Sequence, residues 1–182
     1  MSRIRIPSPD QTPAATIPLL AGVRQQLGVV PNLMKVVGHS PAALEGYLDL
    51  NAALAKGSLG VQTGERIALA VAEINACRYC LAAHSYLGQH VAKLDDAEIG
   101  AARNGGSGDA HADAAVRFAA SVARERGHVS DAALQAVKSA GYSDAQVMEI
   151  VVHVALNTLT NYVNEVAQTD VDFPAVDARR AA

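Results

Sequence analysis

The sequence predicts an all-α protein, a multi-helix bundle, and three observations lead there. Apolar residues recur at helical spacing in one segment after another. No stretch carries the apolar–polar alternation of a half-buried strand. Helix boundaries are marked by the expected residue types, Ser, Thr or Asn ahead of a segment and Gly behind it.

Residues 1–16, with Pro7, Pro9 and Pro13, read as an extended N-terminal arm. Pro18 sits in the first turn of a helix that runs to Leu27 and ends at Gly28. Val30-Pro31-Asn32 restarts the chain into a short helix, Leu33 to Val37, closed by Gly38. Ser40 then serves as an N-cap with Pro41 at the first helical position. Leu44, Tyr47, Leu48 and Leu54 carry that helix to about Lys56. After the break at Gly57-Ser58-Leu59-Gly60, Thr63 is expected to cap a helix whose Ile67, Ala70, Val71 and Ile74 share a face, ending near Glu73.

Asn75 is expected to cap the next helix, which holds both cysteines and continues through Leu87 and Val91. A short helix over Asp95 to Arg103 and a Gly-rich loop over Asn104 to Asp109 follow. Ala112 to Arg126 is helical and stops at Gly127. Ser130 and Ser143 cap the last two helices, Asp131 to Ala140 and Asp144 to about Gln168. Residues 17–168 thus form one helical domain with its cysteine-bearing core at about 41–127. Residues 169–182, with Pro174 and Arg179-Arg180, read as a loosely held tail.

An offset of 80 sets Thr63 on Ser143, Ile67 on Val147, Val71 on Val151 and Ile74 on Val154. The same offset sets Cys77 on Asn157, Cys80 on Thr160 and His84 on Asn164, so one helical pair is expected twice, with reactive groups in the first copy alone. The final helix is apolar on more than one side, through residues such as Val152, Leu159, Val163 and Val166. In a chain this small, such a helix favours a homo-oligomer.

A net charge of -3 and aromatics at 4%, with no Trp, give neither a basic footprint nor a stacking platform for nucleic acid. Arg3 and Arg5 are followed by prolines where a signal peptide needs an apolar run, and Ile17 to Val23 is too short to span a bilayer. The expectation is a cytoplasmic protein with no membrane partner. There, two cysteines three residues apart are more often catalytic or metal-binding than a structural bridge.

With Asn75 as N-cap, Cys77 is the second helical residue and Cys80 lies one turn later. At about 100° per residue, Cys77, Cys80 and His84 fall within roughly 60° of one another. The helix N-terminus and Arg78 favour a thiolate at Cys77, while His84 can take a proton from Cys80 across the i, i+4 gap. A second thiol nearby resolves a sulfenic acid to a disulfide before further oxidation. Orienting the imidazole needs a carboxylate, from Glu65 or from its rival Glu73. Zinc held by Cys77, Cys80 and His84 with Glu65 or His90 is a competing reading, as are two core cysteines. Zinc usually takes such a pair from a knuckle rather than one continuous helix, so no metal and no cofactor is expected. Tyr79 points away from the sulfurs and reads as packing; Asn161, Asn164 and Glu165 either line a pocket or face solvent.

The spacing from Glu65 to Cys77, Cys80 and His84 resembles the alkylhydroperoxidase (AhpD-like) branch of the carboxymuconolactone decarboxylase family. Val30-Pro31-Asn32-Leu33, Asn75-Ala76-Cys77-Arg78-Tyr79-Cys80 and the ending from Asn157 through Asp172-Phe173-Pro174 are similar to its "peroxidase-related" subgroup. The resemblance implies an AhpD-like helical fold with a duplicated helical pair, assembled as trimers or hexamers. It implies that Cys80 attacks the peroxide, that Cys77 is proton donor and resolving thiol, and that Glu65 and His84 are the proton relay. Electrostatics at the helix end favour Cys77 instead; a positioned base acts directly on Cys80, and Cys80 is the assignment adopted. Two departures from the family are Tyr79, where familiar members carry His, and Glu165, where many relatives have His after the second-half Asn.

The function expected is thus a thiol peroxidase for small hydroperoxides, re-reduced by a dithiol or disulfide-reductase donor. The alternatives are a decarboxylase-like lyase, which needs an anion pocket but no thiol pair, and a non-enzymatic redox sensor or disulfide-exchange protein.

Overall fold

A computed structural model describes residues 2–176. Among them the chain forms nine helices and no strand: α1 Thr16–Leu27, α2 Asn32–Val37, α3 Pro41–Leu54, α4 Gly60–Ile74, α5 Arg78–His90, α6 Asp96–Arg103, α7 Ala110–Glu125, α8 Asp131–Ser139 and α9 Asp144–Ala167. None is long and apolar enough to cross a membrane.

The bundle is organised around α4. Every residue from Ile67 to Ala72 is buried, so this helix is enclosed on all sides, by α5, α6, α7 and α9. Alanines 68, 70 and 72 alternate with Ile67, Leu69 and Val71, which lets neighbours approach closely while branched side chains fill the gaps. Each side of α4 faces its own cluster. Ile67, Ala70 and Val71 pack with Val116, Phe118, Ile150 and Val154 of α7 and α9. Leu69 meets Leu94, Ile99 and Ala102 around α6. Ala72 joins Leu33, Val37, Leu44 and Leu81 in a third cluster, and this one contains both cysteines. Burying a leucine such as Leu69 contributes roughly 2 kcal/mol.

Three caps stand where the sequence put them, at Ser40, Ser130 and Ser143. Two stand at residues it read otherwise: Asp95 as a first helical residue, and Asp109 as the end of a loop ahead of a helix expected from Ala112 that starts at Ala110. Ser40, Asp95, Asp109, Ser130 and Ser143 each accept from a backbone N–H three residues on, and Ser143 with Gln146 completes a capping box. Gly28 ends α1 at φ 76, in the left-handed region where glycine is favoured. Gly38 fits because a Cβ there would meet the Thr16 side chain at 2.8 Å, and Thr16 Oγ1 donates to its carbonyl.

Four further expectations are corrected. α3 stops at Leu54, short of Lys56. Thr63 does not cap α4, which starts at Gly60 without a side-chain cap; Thr63 lies in its first turn, and Glu65 in the next. The helical pair is not repeated: α9 runs unbroken through the positions that match the turn between α4 and α5. At that turn the first copy has Asn75-Ala76, whereas the second has Ala155-Leu156, two strong helix formers. Finally, the C-terminal segment is tied down. Asp172 accepts from the Asn32 N–H and the Tyr79 hydroxyl, each at 2.8 Å, and Phe173 meets the Tyr79 ring edge-on at 5.8 Å. A buried tyrosine hydroxyl needs a partner, and the tail supplies it. Arg179 and Arg180 lie outside the described residues. At the other end, the arm's Arg3 and Ile4 N–H groups donate to the Ala167 carbonyl, which lays the arm on the C-terminus of α9.

Candidate functional site

The site begins at the corner between α4 and α5. Asn75 does not start α5, as the sequence suggested; it ends α4. The Ala76 N–H reaches back to Glu73 O and the Cys77 N–H to Ala72 O, at 3.1 and 3.0 Å, with Ala76 at φ 53. This pairing of bonds around a left-handed residue is a Schellman closure, with alanine in the position glycine usually takes. Cys77 is therefore still in the closing turn of α4 by its N–H, and by its side chain it is already the N-cap of α5. Its Sγ accepts from the Cys80 N–H at 3.3 Å, as a serine oxygen would.

This double role fixes the sulfurs. Cys77 Sγ donates toward Cys80 Sγ across 2.8 Å, and both are free cysteines. Cys77 is 0% and Cys80 2% exposed, so neither sulfur faces open solvent. Asn164 of α9 donates its Nδ2 to Cys80 Sγ at 3.3 Å. The Asn161 amide acts on the same sulfur, while Asn161 Oδ1 accepts from Asn75 Nδ2 at 2.9 Å. One turn along α5, His84 Nδ1 pairs with Glu65 Oε2 at 2.9 Å. Glu73, the rival carboxylate, is instead bound to Arg103 at 2.6 Å.

These contacts divide the two thiols. The hydrogen bond from Cys77, the charge on His84 and the two asparagine amides outweigh burial and bring Cys80 down to about 7. Cys77 moves the other way: donating to Cys80 raises it most, burial adds to this, and the bond from the Cys80 N–H opposes it only in part. The helix end alone favours Cys77 as thiolate, but the sulfur–sulfur bond and the dry surroundings reverse that preference. Arg78 is exposed and is not among the groups that act most on either sulfur. For His84, burial disfavours the charge, yet the Glu65 carboxylate prevails and raises it above the ordinary imidazole value.

The structure thus brings Cys77, Cys80, His84 and Glu65 together. Tyr79 is directed elsewhere, bridging Asp172 and the Leu33 N–H. Glu165 is exposed and lines, with Arg78, Tyr79, Asn164, Gln168 and Thr169, a cavity of about 150 Å³ beside the cysteines. His90 Nδ1 is held by the Tyr86 carbonyl, and among the described residues no three His, Cys, Asp or Glu side chains gather as a metal would hold them.

Tyr47 belongs to the site although the sequence suggested only packing. Its hydroxyl is pushed up to about 12, first by burial and then by the nearby charges of Cys80 and Glu65. Nothing in the α3 pattern distinguishes it. Asn157, Asn161 and Asn164 do leave a signal: they are polar residues at helical spacing on the buried side of an apolar helix.

Residues 41–125 match the model of the carboxymuconolactone decarboxylase family. The fold is similar to that of an alkylhydroperoxidase AhpD core, an uncharacterized peroxidase-related protein from Ralstonia eutropha JMP134, with a TM-score of 0.83 at 22% identity over 94% of this chain and 92% of that one. An uncharacterized peroxidase-related protein from Silicibacter sp. TM1040 gives 0.79 at 23% identity, covering 92% and 89%. The debrominase Bmp8 gives 0.77 at 19% identity, covering 93% and 92%. No curated protein matches the sequence.

Proposed function

We propose that this chain, whose residues 41–125 match the carboxymuconolactone decarboxylase family model and whose fold is AhpD-like, is a thiol-dependent peroxidase with Cys80 as nucleophile. The observation that carries this reading is the divided pair: one thiol brought near 7 and its neighbour 2.8 Å away driven upward. With a pKa near 7, about half of Cys80 is thiolate at neutral pH, against roughly 1% for a thiol near 9, and a nucleophile works best with a pKa close to ambient pH.

The His84–Glu65 pair takes the Cys80 proton. The thiolate attacks the terminal oxygen of the hydroperoxide, the O–O bond breaks, and Cys80 becomes a sulfenic acid. The departing alkoxide takes a proton from Cys77 and leaves as an alcohol. The Cys77 thiolate then attacks the sulfenic sulfur, forming the disulfide and expelling hydroxide, which His84 protonates to water. An external dithiol or disulfide reductase restores both thiols. No cofactor enters. Such a cycle suits the reducing cytoplasm, where we place it.

Self-association as a trimer or hexamer is part of the same proposal, supported by Met148, Leu159, Tyr162 and Val166 exposed along α9. The lyase alternative finds little support, since Arg78 is the one cation lining the cavity beside the cysteines. The test is a sulfenic-acid probe with mass spectrometry after a brief hydroperoxide pulse. Label should accumulate on Cys80 in Cys77→Ser, and Cys80→Ser should lose peroxide turnover. Label confined to Cys77, or full turnover in Cys80→Ser, would refute the assignment.

A further inference from the structure

Two buried polar atoms beside Cys80 have no partner in the fold: Asn161 Nδ2, a donor, and Asn164 Oδ1, an acceptor. Asn161 is 0% and Asn164 2% exposed, and a buried amide group left unpaired is costly, on the order of 1–3 kcal/mol. Their companion atoms are engaged, Asn161 Oδ1 with Asn75 and Asn164 Nδ2 with the Cys80 sulfur. Both free atoms therefore sit on amides whose position is already fixed: Asn164 Nδ2 is bonded to the sulfur that would attack, and Asn161 Nδ2 stands near enough to favour its thiolate without completing a hydrogen bond to it.

A hydroperoxide presents the complementary pair. Its terminal O–H donates, and the oxygen that becomes the alkoxide accepts. We propose that Asn161 Nδ2 and Asn164 Oδ1 are the hydroperoxide-binding cradle, resting on the thiol-peroxidase reading above. Asn164 Oδ1 takes the terminal O–H and so holds that oxygen against Cys80 Sγ. Asn161 Nδ2 donates to the second oxygen, where negative charge develops as the O–O bond breaks. Asn164 also lines the cavity of about 150 Å³, whose wall includes Arg78, Glu165, Gln168 and Thr169, the last with its own hydroxyl unpartnered. Walls this polar suit hydrogen peroxide or a short, polar hydroperoxide and give a bulky apolar one little to pack against.

The experiment compares two reactions of the same thiolate at a pH well above its pKa, so that ionisation is equal. One is sulfenic-acid formation with hydrogen peroxide. The other is alkylation by iodoacetamide, which needs no peroxide cradle. In Asn161→Leu the peroxide rate should fall about tenfold to a hundredfold, while alkylation changes less than threefold. Asn161→Ala carries the same expectation and replaces it should the leucine variant not fold. Wild type should also react faster with hydrogen peroxide than with cumene hydroperoxide. A parallel loss of both rates, or no loss of either, would overturn the cradle, and preference for cumene hydroperoxide would overturn the small polar substrate. If wild type alkylates but forms no sulfenic acid with any peroxide, the peroxidase reading itself fails and takes the cradle with it.

Discussion

Residues 75–77 and residues 155–157 stand in the same register of two segments eighty positions apart, yet one is a corner and the other mid-helix. In the first, Asn75-Ala76 closes α4 with a left-handed residue and delivers Cys77 as the N-cap of α5. In the second, Ala155-Leu156 lets α9 continue, so the residues beyond it stay on one rigid rod. The outcomes complement each other. The corner creates two sulfurs in contact, and the rod carries Asn161 and Asn164 to meet one of them. Breaking the helix makes the reactive pair, and leaving it whole makes the support that tells the two thiols apart.

The register also pairs Leu81 with Asn161, and both are fully buried. Leu81 is packing and Asn161 is chemistry, so their substitutions should separate. Leu81→Ala removes a filled position in the cysteine cluster and should cost about 2–5 kcal/mol in urea unfolding. Asn161→Leu replaces an amide that keeps one free donor, and its partner Asn75 is only half-buried and can turn to water. That change should stay within about 1 kcal/mol. Equal losses would mean that Asn161 is held in place for the fold rather than for the thiolate.

A smaller effect is expected from the carboxylate behind His84. Glu65→Gln leaves the imidazole without the group that keeps it charged, so its pKa falls and the positive charge near Cys80 is lost at neutral pH. The Cys80 pKa must then rise from about 7. Its alkylation rate, followed against pH, should shift its midpoint upward by about one unit, with a several-fold loss at pH 7 and none at high pH, where the thiol is ionised in both proteins. An unmoved midpoint would leave the two asparagines and Cys77 as the whole cause of the acidity.

How much of this was legible in the sequence follows the range of the interactions. Caps and stops such as Ser40, Ser130, Ser143 and Gly28 are local, decided within three or four residues, and the structure has them where the pattern put them. Thr63 and Asn75 misled because a capping residue type is permissive: it marks a start only if the backbone before it leaves the helix, and around both the hydrogen bonds continue. The alignment of Cys77, Cys80 and His84 on one segment was readable from spacing. Asn164, eighty-four residues from Cys80, shows in the sequence only as a polar residue on the buried side of α9, and Tyr47 not at all, because folding alone brings the one to the sulfur and the other within range of its charge. The tail was misjudged for the same reason. Its hold depends on Tyr79 and Asn32, which lie 93 and 140 residues before Asp172.

The corner itself offers a gentler test. Ala76 is exposed and sits at φ 53, where a Cβ costs about 1–2 kcal/mol. Ala76→Gly relieves that strain, less the extra freedom glycine gives the unfolded chain, for a net gain of about 0.5 kcal/mol. Ala76→Val, branched at Cβ, should lose at least about 1 kcal/mol. Urea midpoints order the three proteins Gly above Ala above Val; the reverse order would mean that the turn is not left-handed in solution.

The last contrast concerns what covers each helix, and its effect on the isolated subunit is the smallest. In the eighty-residue register Ala82 of α5 matches Tyr162 of α9, yet Ala82 is 1% exposed and Tyr162 60%. Tyr79 is buried beneath the tail, whereas its counterpart Leu159 is open. With Val166 and Met148, these residues leave an apolar strip along α9; of its counterparts on α4 and α5, Ala68, Tyr79 and Ala82 are buried within the chain and Tyr86 is 39% exposed. A second copy of the chain covers the strip in the assembly proposed above. Tyr162→Glu, on the surface of the single chain, should alter the subunit's own stability by about 0.5 kcal/mol or less, while placing a charge in the contact between copies. Sedimentation should then show the wild type as an oligomer and the variant as a monomer with its thiol acidity intact. A wild type that sediments as a monomer at micromolar concentration would remove the argument, because the open face of α9 would then need no partner.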